Sequence, residues 1–292
     1  MIPAPFTYFA PRSLPEALDL LQQHGAEAKV MAGGQSLIPL MKLRLASPGY
    51  VIDLGRVPGL DTLEERDGEL VIGAMVREST VEHSPLLRQR YTGLVEASEV
   101  VADPLVRNVA TLGGNLAHAD PANDHPAMML ALRGQVVAVG PTSERRIPID
   151  DFLVGTFETS LAADEVLVDI RIPRPAPHTG SAYIKLERKV GDYAIAAVAA
   201  QVTLDGETCV QAGLGLTNAG PTAIRPIDAE QCLVGKRIDE EVIHEAARLA
   251  AAAADPSSDL RGPAEYKRGV LRTLTARALR QATRRALEGV SQ

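Results

Sequence analysis

Cysteine is almost missing from this chain. The two present, Cys209 and Cys232, are too few and too far apart for a thiolate-ligated iron–sulfur cluster or a cysteine-rich zinc site. Both read as small apolar residues of a reducing compartment. Tryptophan is absent and aromatics make up 3% of the residues, which leaves no stacking platform for nucleic-acid bases. Positive charge is also short: 30 Lys and Arg stand against 37 Asp and Glu, a net −7, whereas a general nucleic-acid binder is normally basic. No apolar run approaches the roughly eighteen residues of a membrane-spanning helix. The opening MIPAPFTYFAPRS has no basic lead into an apolar run, so no secretory signal is expected. These absences point to a soluble, cytoplasmic protein with no membrane span and no nucleic-acid partner.

What is present is ordinary globular material: 46% hydrophobic and 23% charged over 292 residues, enough for a sizeable core and longer than one typical domain. SLPEALDLLQQHG reads as a capped helix, with Ser13 at its head, Pro15 in the first turn and Gly25 at its end. AKVMA and YVIDL read as strands and SLIPLMKLRLA as a helix between them. Asp67-Gly68 marks a hairpin tip. Residues 82–101 look helical, and LVRNVATLGGNLAHADPAND looks mostly like loop. HPAMMLALRG reads as a helix; QVVAVG and EVLVDIRIP read as strands. The proline-rich stretch 173–180 is the best linker. Beyond it lie an antiparallel meander turning at Asp205-Gly206 and two helices. The expectation is an α+β chain: a mixed domain over 1–176, in subdomains of about 1–57 and 58–176, then a smaller sheet-plus-helix domain over 177–292.

Two glycine pairs stand out. AGGQS places Gly33 and Gly34 beside Gln35 and Ser36; TLGGN places Gly113 and Gly114 between Thr111 and Asn115. Glycine lets backbone approach an anion, and successive N–H groups form an anion-binding concavity, so two such loops can hold a pyrophosphate from both sides. The same residues are equally compatible with two tight turns. Neither is a Rossmann fingerprint: GLGLTN, from Gly213, lacks the third glycine and lies between strand-like runs. No glycine precedes Lys-Ser or Lys-Thr, so a P-loop is absent too.

AGGQSLIPLMKLRLASPGYVIDL with VRNVATLGGNLAHADPANDHPA resembles the FAD-binding medium subunit of molybdenum hydroxylases, the xanthine dehydrogenase family, and in particular three-subunit members such as aerobic carbon monoxide dehydrogenase. KLERKVGDYAIAAVA, GLTNAGPT and SSDLRGPAEYKRGVL extend the likeness over essentially the whole chain. The resemblance implies a two-subdomain FAD-binding domain of the vanillyl-alcohol-oxidase type, then an antiparallel sheet with a helical bundle. By position, it implies that Ala32, Gly33, Gly34, Gln35 and Ser36, with Thr111, Gly113, Gly114 and Asn115, hold the pyrophosphate of a non-covalent FAD. It puts Lys29 at the adenine-side entrance, Val101 against the flavin, Asp124 on the cofactor, Leu161 and Lys185 beside the isoalloxazine, and Tyr193 near the ring. Gln35 stands where the carbon monoxide branch often has His, and matches relatives acting on N-heterocycles. Molybdenum cofactor and [2Fe–2S] clusters are then expected only in a large and a small partner subunit, in a dimer of heterotrimers. FAD would pass electrons to NAD, oxygen or quinone. The parent substrate would be carbon monoxide, an N-heterocycle or an aldehyde. A free-standing FAD oxidoreductase is the alternative, and a non-catalytic assembly factor is a third reading, against which the paired loops weigh.

The remaining constellations are plainer. HADPANDH has no helix-borne ligand spacing and is expected to hold no metal, and Ser36 has no visible acid–base partner. The last helix carries Lys267, Arg268, Arg272, Arg277, Arg280, Arg284 and Arg285, either as a solvated face or as a dock for an acidic partner.

Overall fold

A computed structural model describes residues 2–288. Strand β1 (Thr7–Phe9) leads to helix α1 (Leu14–His24), strand β2 (Ala28–Met31), helix α2 (Leu37–Lys42) and strand β3 (Tyr50–Asp53). The three strands form a parallel sheet in the order β1-β3-β2. Ser13 caps α1 by accepting from Glu16 N, and Ala17, Leu18 and Leu21 bury its inner face. Helix α2 ends at Lys42, short of the expected run, with Arg44 in the left-handed region at φ 59°. Leu43 and Leu45 are exposed, so no apolar face rewards a longer helix.

A second sheet begins with the hairpin β4 (Leu63–Arg66) and β5 (Glu69–Gly73), whose tip residues Asp67 and Gly68 both have positive φ, as the primed turn requires. The run expected to be one helix is three: α3 (Glu78–His83), α4 (Pro85–Arg90) and α5 (Thr92–Glu99). Pro85 cannot continue the ladder from α3, and Ser84 instead caps α4 through Leu87 N. Most of the stretch expected to be loop is also helical, in α6 (Pro104–Arg107) and α7 (Leu112–His118). Helix α8 (His125–Leu132), strands β6 (Gln135–Val139) and β7 (Glu144–Pro148), the turn α9 (Ile149–Phe152), the short pair β8 (Leu153–Gly155) and β9 (Glu158–Thr159), and strand β10 (Val166–Pro173) follow. The sheet order is β4-β5-β10-β6-β7, antiparallel throughout. One face packs on the first sheet and on α1 through Val137, Val166 and Val168, in one core with Leu18, Leu21 and Ile52. The other face, with Val136, Ala138 and Ile170, joins the core around α5, α7 and α8.

Past the connection at 174–178, strands β11 (Thr179–Leu186), β12 (Ala196–Asp205) and β13 (Thr208–Thr217) make an antiparallel sheet. Helices α10 (Ile227–Leu233), α11 (Glu240–Ala253) and α12 (Ala264–Glu288) complete the chain. Because a strand alternates its faces, β12 serves two cores: Ala196, Val198, Ala200 and Val202 join that of α10–α12, and Ala197 and Ala199 join that of α5 and α8. Packing is therefore continuous across the expected boundary at 176–177.

Helix α8 closes this seam. All eight of its residues are buried, and it approaches β13 so closely that a Cβ on Gly213 would lie 2.0 Å from Ala131 O and one on Gly215 1.9 Å from Ala127 O. Gly215→Ala therefore requires α8 to move. Overpacking of this kind costs about 1–3 kcal/mol, and the melting temperature of the variant, read by calorimetry, should fall by several degrees. An unchanged melt would mean that the helix is free to shift.

Candidate cofactor site

The first glycine loop joins the end of β2 to α2. Gly34 has φ +71°, and Ser36, at the head of α2, caps nothing with its side chain. Among the described residues, the successive N–H groups of Gly33, Gly34, Gln35 and Ser36 have no acceptor. Such a row of unpaired N–H groups is able to receive an anion. Lys29 is exposed on β2 just before it, and Gln35 is exposed within it.

The second pair lies inside a helix, which corrects the loop expectation. Thr111 takes an extended conformation and caps α7 by accepting from Gly114 N at 3.1 Å. Leu112 N donates to Val76 O and Asn115 N to Thr111 O. Gly113 N alone in this first turn has no acceptor among the described residues. Buried Leu112 and Leu116, four apart behind a Thr cap, were the available signal.

The two loops touch. A Cβ on Gly33 would lie 2.2 Å from Val109 O and 2.9 Å from the Ala110 Cα. One on Gly114 would lie 3.4 Å from the Ala32 Cβ, and one on Gly113 would strike the Ala74 backbone at 2.6 Å. At Gly33 and Gly113, then, the crowding atoms are protein backbone, and the missing side chains first let the loops seat on one another and on the 74–78 segment. The Asn115 Oδ1 is buried with no partner, an acceptor awaiting a donor.

Asp124, just ahead of α8, is buried at the seam. It accepts from Tyr183 Oη at 2.7 Å and from Lys185 Nζ at 3.1 Å. Lys185 Nζ also donates to Val100 O at 3.0 Å, next to half-buried Val101. Burial raises the Asp124 carboxyl above its usual range, opposed by the Lys185 charge and by its hydrogen bonds. Burial likewise drives the Tyr183 hydroxyl well up. Leu161 packs against the first core from its edge. Tyr193 stays partly exposed, with the Arg261 guanidinium 5.8 Å from its ring centroid, and Asp192 beside it accepts from Arg261 and Arg188. Burial raises the Tyr193 hydroxyl.

Some participants lay outside the sequence reading. Tyr183 shares the strand face of Lys185, an i,i+2 signal that was available. Glu78 and His125 form a pair at 2.6 Å with both side chains fully buried, and Ser98 Oγ donates to Glu78 at 2.8 Å; an isolated Glu in REST gave no sign of it. Burial alone would depress the His125 pKa, but the charge and hydrogen bond of Glu78, with Asp124 adding, leave it raised. The HADPANDH side chains are thus engaged within the fold, with His118 tilted against the Phe157 ring at 5.0 Å.

Residues 4–175 match the model of the FAD binding domain in molybdopterin dehydrogenase, and residues 181–282 that of the CO dehydrogenase flavoprotein C-terminal domain. The chain is 44% identical to the carbon monoxide dehydrogenase medium chain of Hydrogenophaga pseudoflava, over 97% of this chain and 98% of that one. Carbon monoxide dehydrogenase of that organism superposes with a TM-score of 0.95 at 45% identity, covering 98% and 99% of the two chains. Quinoline 2-oxidoreductase from Pseudomonas putida 86 superposes at 0.92 with 34% identity, covering 98% and 100%.

Two outcomes are expected from this geometry. Gly33→Val pushes the loops apart and should abolish flavin retention in equilibrium dialysis while the helices of the second unit stay protected from hydrogen exchange; full occupancy would remove this loop from the site. The second concerns pH. With its folded pKa above the ordinary 6.5, His125 contributes stability that is full below 6.5 and lost as pH rises through the folded value. The melting-temperature gap between the wild type and His125→Asn should therefore narrow with rising pH, and a constant gap would show that the imidazole does not titrate against Glu78.

Proposed function

The chain belongs to the FAD-binding subunit family of molybdopterin dehydrogenases, and on that premise we propose that it is the flavin relay between an iron–sulfur partner and an external electron acceptor. The observation that carries the reading is the pair of touching glycine loops, with acceptor-free N–H groups at Gly33–Ser36 and Gly113 and the orphaned Asn115 Oδ1 beside them. The N–H groups fit the pyrophosphate of FAD, whose charge they receive, Thr111 holds the second turn in shape, and Asn115 Oδ1, an acceptor, suits a hydroxyl or N–H of the cofactor rather than a phosphate oxygen. Bound there, FAD supplies a group able to take electrons singly and release them in pairs. The Lys185 cation, held by Asp124 and Val100 O, would favour negative charge on the ring system, and Tyr193 and Val101 are the residues that would cover it. Lys29 stands at the adenine side.

Two cysteines cannot ligate a cluster, so the clusters and the molybdenum cofactor belong to a small and a large partner subunit, in a dimer of heterotrimers in the cytoplasm. Substrate is oxidised in the large partner, and carbon monoxide, an N-heterocycle or an aldehyde fits the relatives. The acceptor is NAD, oxygen or quinone. Against a free-standing oxidoreductase stands the second unit, whose sheet face toward α10–α12 is mostly filled with Ala, Val and Leu, leaving an open groove of about 400 Å³ beside Leu186, Val270 and Leu274 that holds a single charged side chain, Arg277.

The test is to load the chain with FAD, confirm by acid precipitation that the chromophore is released, and offer carbon monoxide, N-heterocycles and aldehydes with and without the partner subunits. Flavin bleaching only with partners is expected. Bleaching in the lone chain would establish the free-standing reading, and failure of both chain and complex to take up FAD would end the proposal.

A further inference from the structure

Five buried or half-buried charges of alternating sign run from beneath the second glycine loop to the Tyr193 loop. Glu78 meets His125 at 2.6 Å; Asp124, the residue before His125 in the chain, meets Lys185 at 3.1 Å; Lys185 meets Glu187 at 3.4 Å. Side-chain exposure along the row is 0%, 0%, 7%, 2% and 19%. Its inner end is fixed to the glycine loop, because Glu78 N donates to Ala110 O at 2.9 Å. Its outer end is fixed to the Tyr193 loop, because Gly191 N donates to a Glu187 carboxylate oxygen at 3.3 Å. Gly191 in turn lies so near Ala102 that a Cβ would fall 2.4 Å from its carbonyl oxygen.

We propose that this charge ladder is a positioning device: it sets the Tyr193 loop relative to the second glycine loop, so that a change at one end is felt at the other. Removing one member of a buried pair leaves its partner charged and unsolvated, a strongly unfavourable state. Each rung therefore fixes the next, and the row responds as a unit. Three rungs carry buried atoms with no hydrogen-bond partner, Glu78 Oε1 and His125 Nδ1 at the inner end and Glu187 Oε2 at the outer, so neither end has much to replace a lost charge. A purely apolar seam of the same volume would hold the domains together without linking these two loops. What occupies the glycine loop rests on the proposed flavin reading, but the ladder itself does not.

The chain has no tryptophan, so Tyr193→Trp installs a single fluorescent reporter on the outer loop. In flavin-free full-length protein carrying that reporter, Glu78→Gln should shift the emission and change iodide quenching by about twofold or more, although Glu78 has no contact with residue 193. Glu187→Gln should do the same, and the double variant should do little more than either alone. Where Glu78→Gln fails to fold, Glu187→Gln is read in reverse: hydrogen exchange of the 110–115 peptide should quicken about tenfold. Unchanged emission in a cooperatively melting Glu78→Gln, effects that simply add in the double variant, or unaltered exchange at 110–115 would each overturn the ladder. Flavin binding by the wild-type complex is measured alongside, so loss of the cofactor reading leaves this result standing.

Discussion

The contact on which the site depends is the seating of α8 on the bare backbone of β13. With no side chains at Gly213 and Gly215, the carbonyls of Ala127 and Ala131 come to the strand surface. That depth fixes the start of α8, where Asp124 and His125 lie. Asp124 then reaches Tyr183 and Lys185, which stand on β11, two strands from β13 in the same sheet. A single methyl group at either glycine would lift the helix and separate an ion pair built from both halves of the chain.

Charge at this seam is costly, and its form shows how the cost is offset. Lys185 is nearly inaccessible and finds Asp124, Glu187 and a backbone carbonyl. Asp124 finds Lys185 and Tyr183. Buried pairs of this kind rarely exceed a hydrophobic replacement in stability, and what they add is a fixed mutual geometry. That matters at a site where the residues come from α8, β11 and the loop after it, since no single element could hold them in place. The glycine loops solve the same problem with backbone: Gly33 against Val109 and Gly113 against Ala74 interlock two turns and the 74–78 segment.

Local chemistry was legible where one element decides its own fate. The Ser13 cap, the Asp67-Gly68 turn and the alternating strands were all readable because cap, turn and pleat act over a few residues. The run 82–101 breaks where Pro85 cannot continue α3 and Ser84 caps a new helix instead. Helix α7 forms where a loop is expected: two glycines carry low helix propensity, yet Leu112 and Leu116 gain full burial and Thr111 closes the first turn. The family resemblance implies Asp124 and Lys185 as cofactor contacts and says nothing of the ion pair that they form with one another. It gave no hint of Glu78, because a pair between residues so far apart exists only after α3 and α8 have packed.

The basic last helix shows how tertiary structure decides between readings that sequence leaves level. Lys267 is wholly buried on Asp259 and Ser257 O, Arg268 reaches Asp255, Arg280 reaches Glu240 and Arg285 reaches Glu96. Glu96 lies on α5 in the first unit, so that last pair binds the C-terminal helix to the FAD-binding domain. Among the described residues, only Arg272 and Arg277 of the seven cations in this helix reach no carboxylate. The row of charge is therefore spent mostly within the chain, clamping the helix to its own loops and to the first domain, and a docking surface built on it would draw on two arginines rather than seven cations.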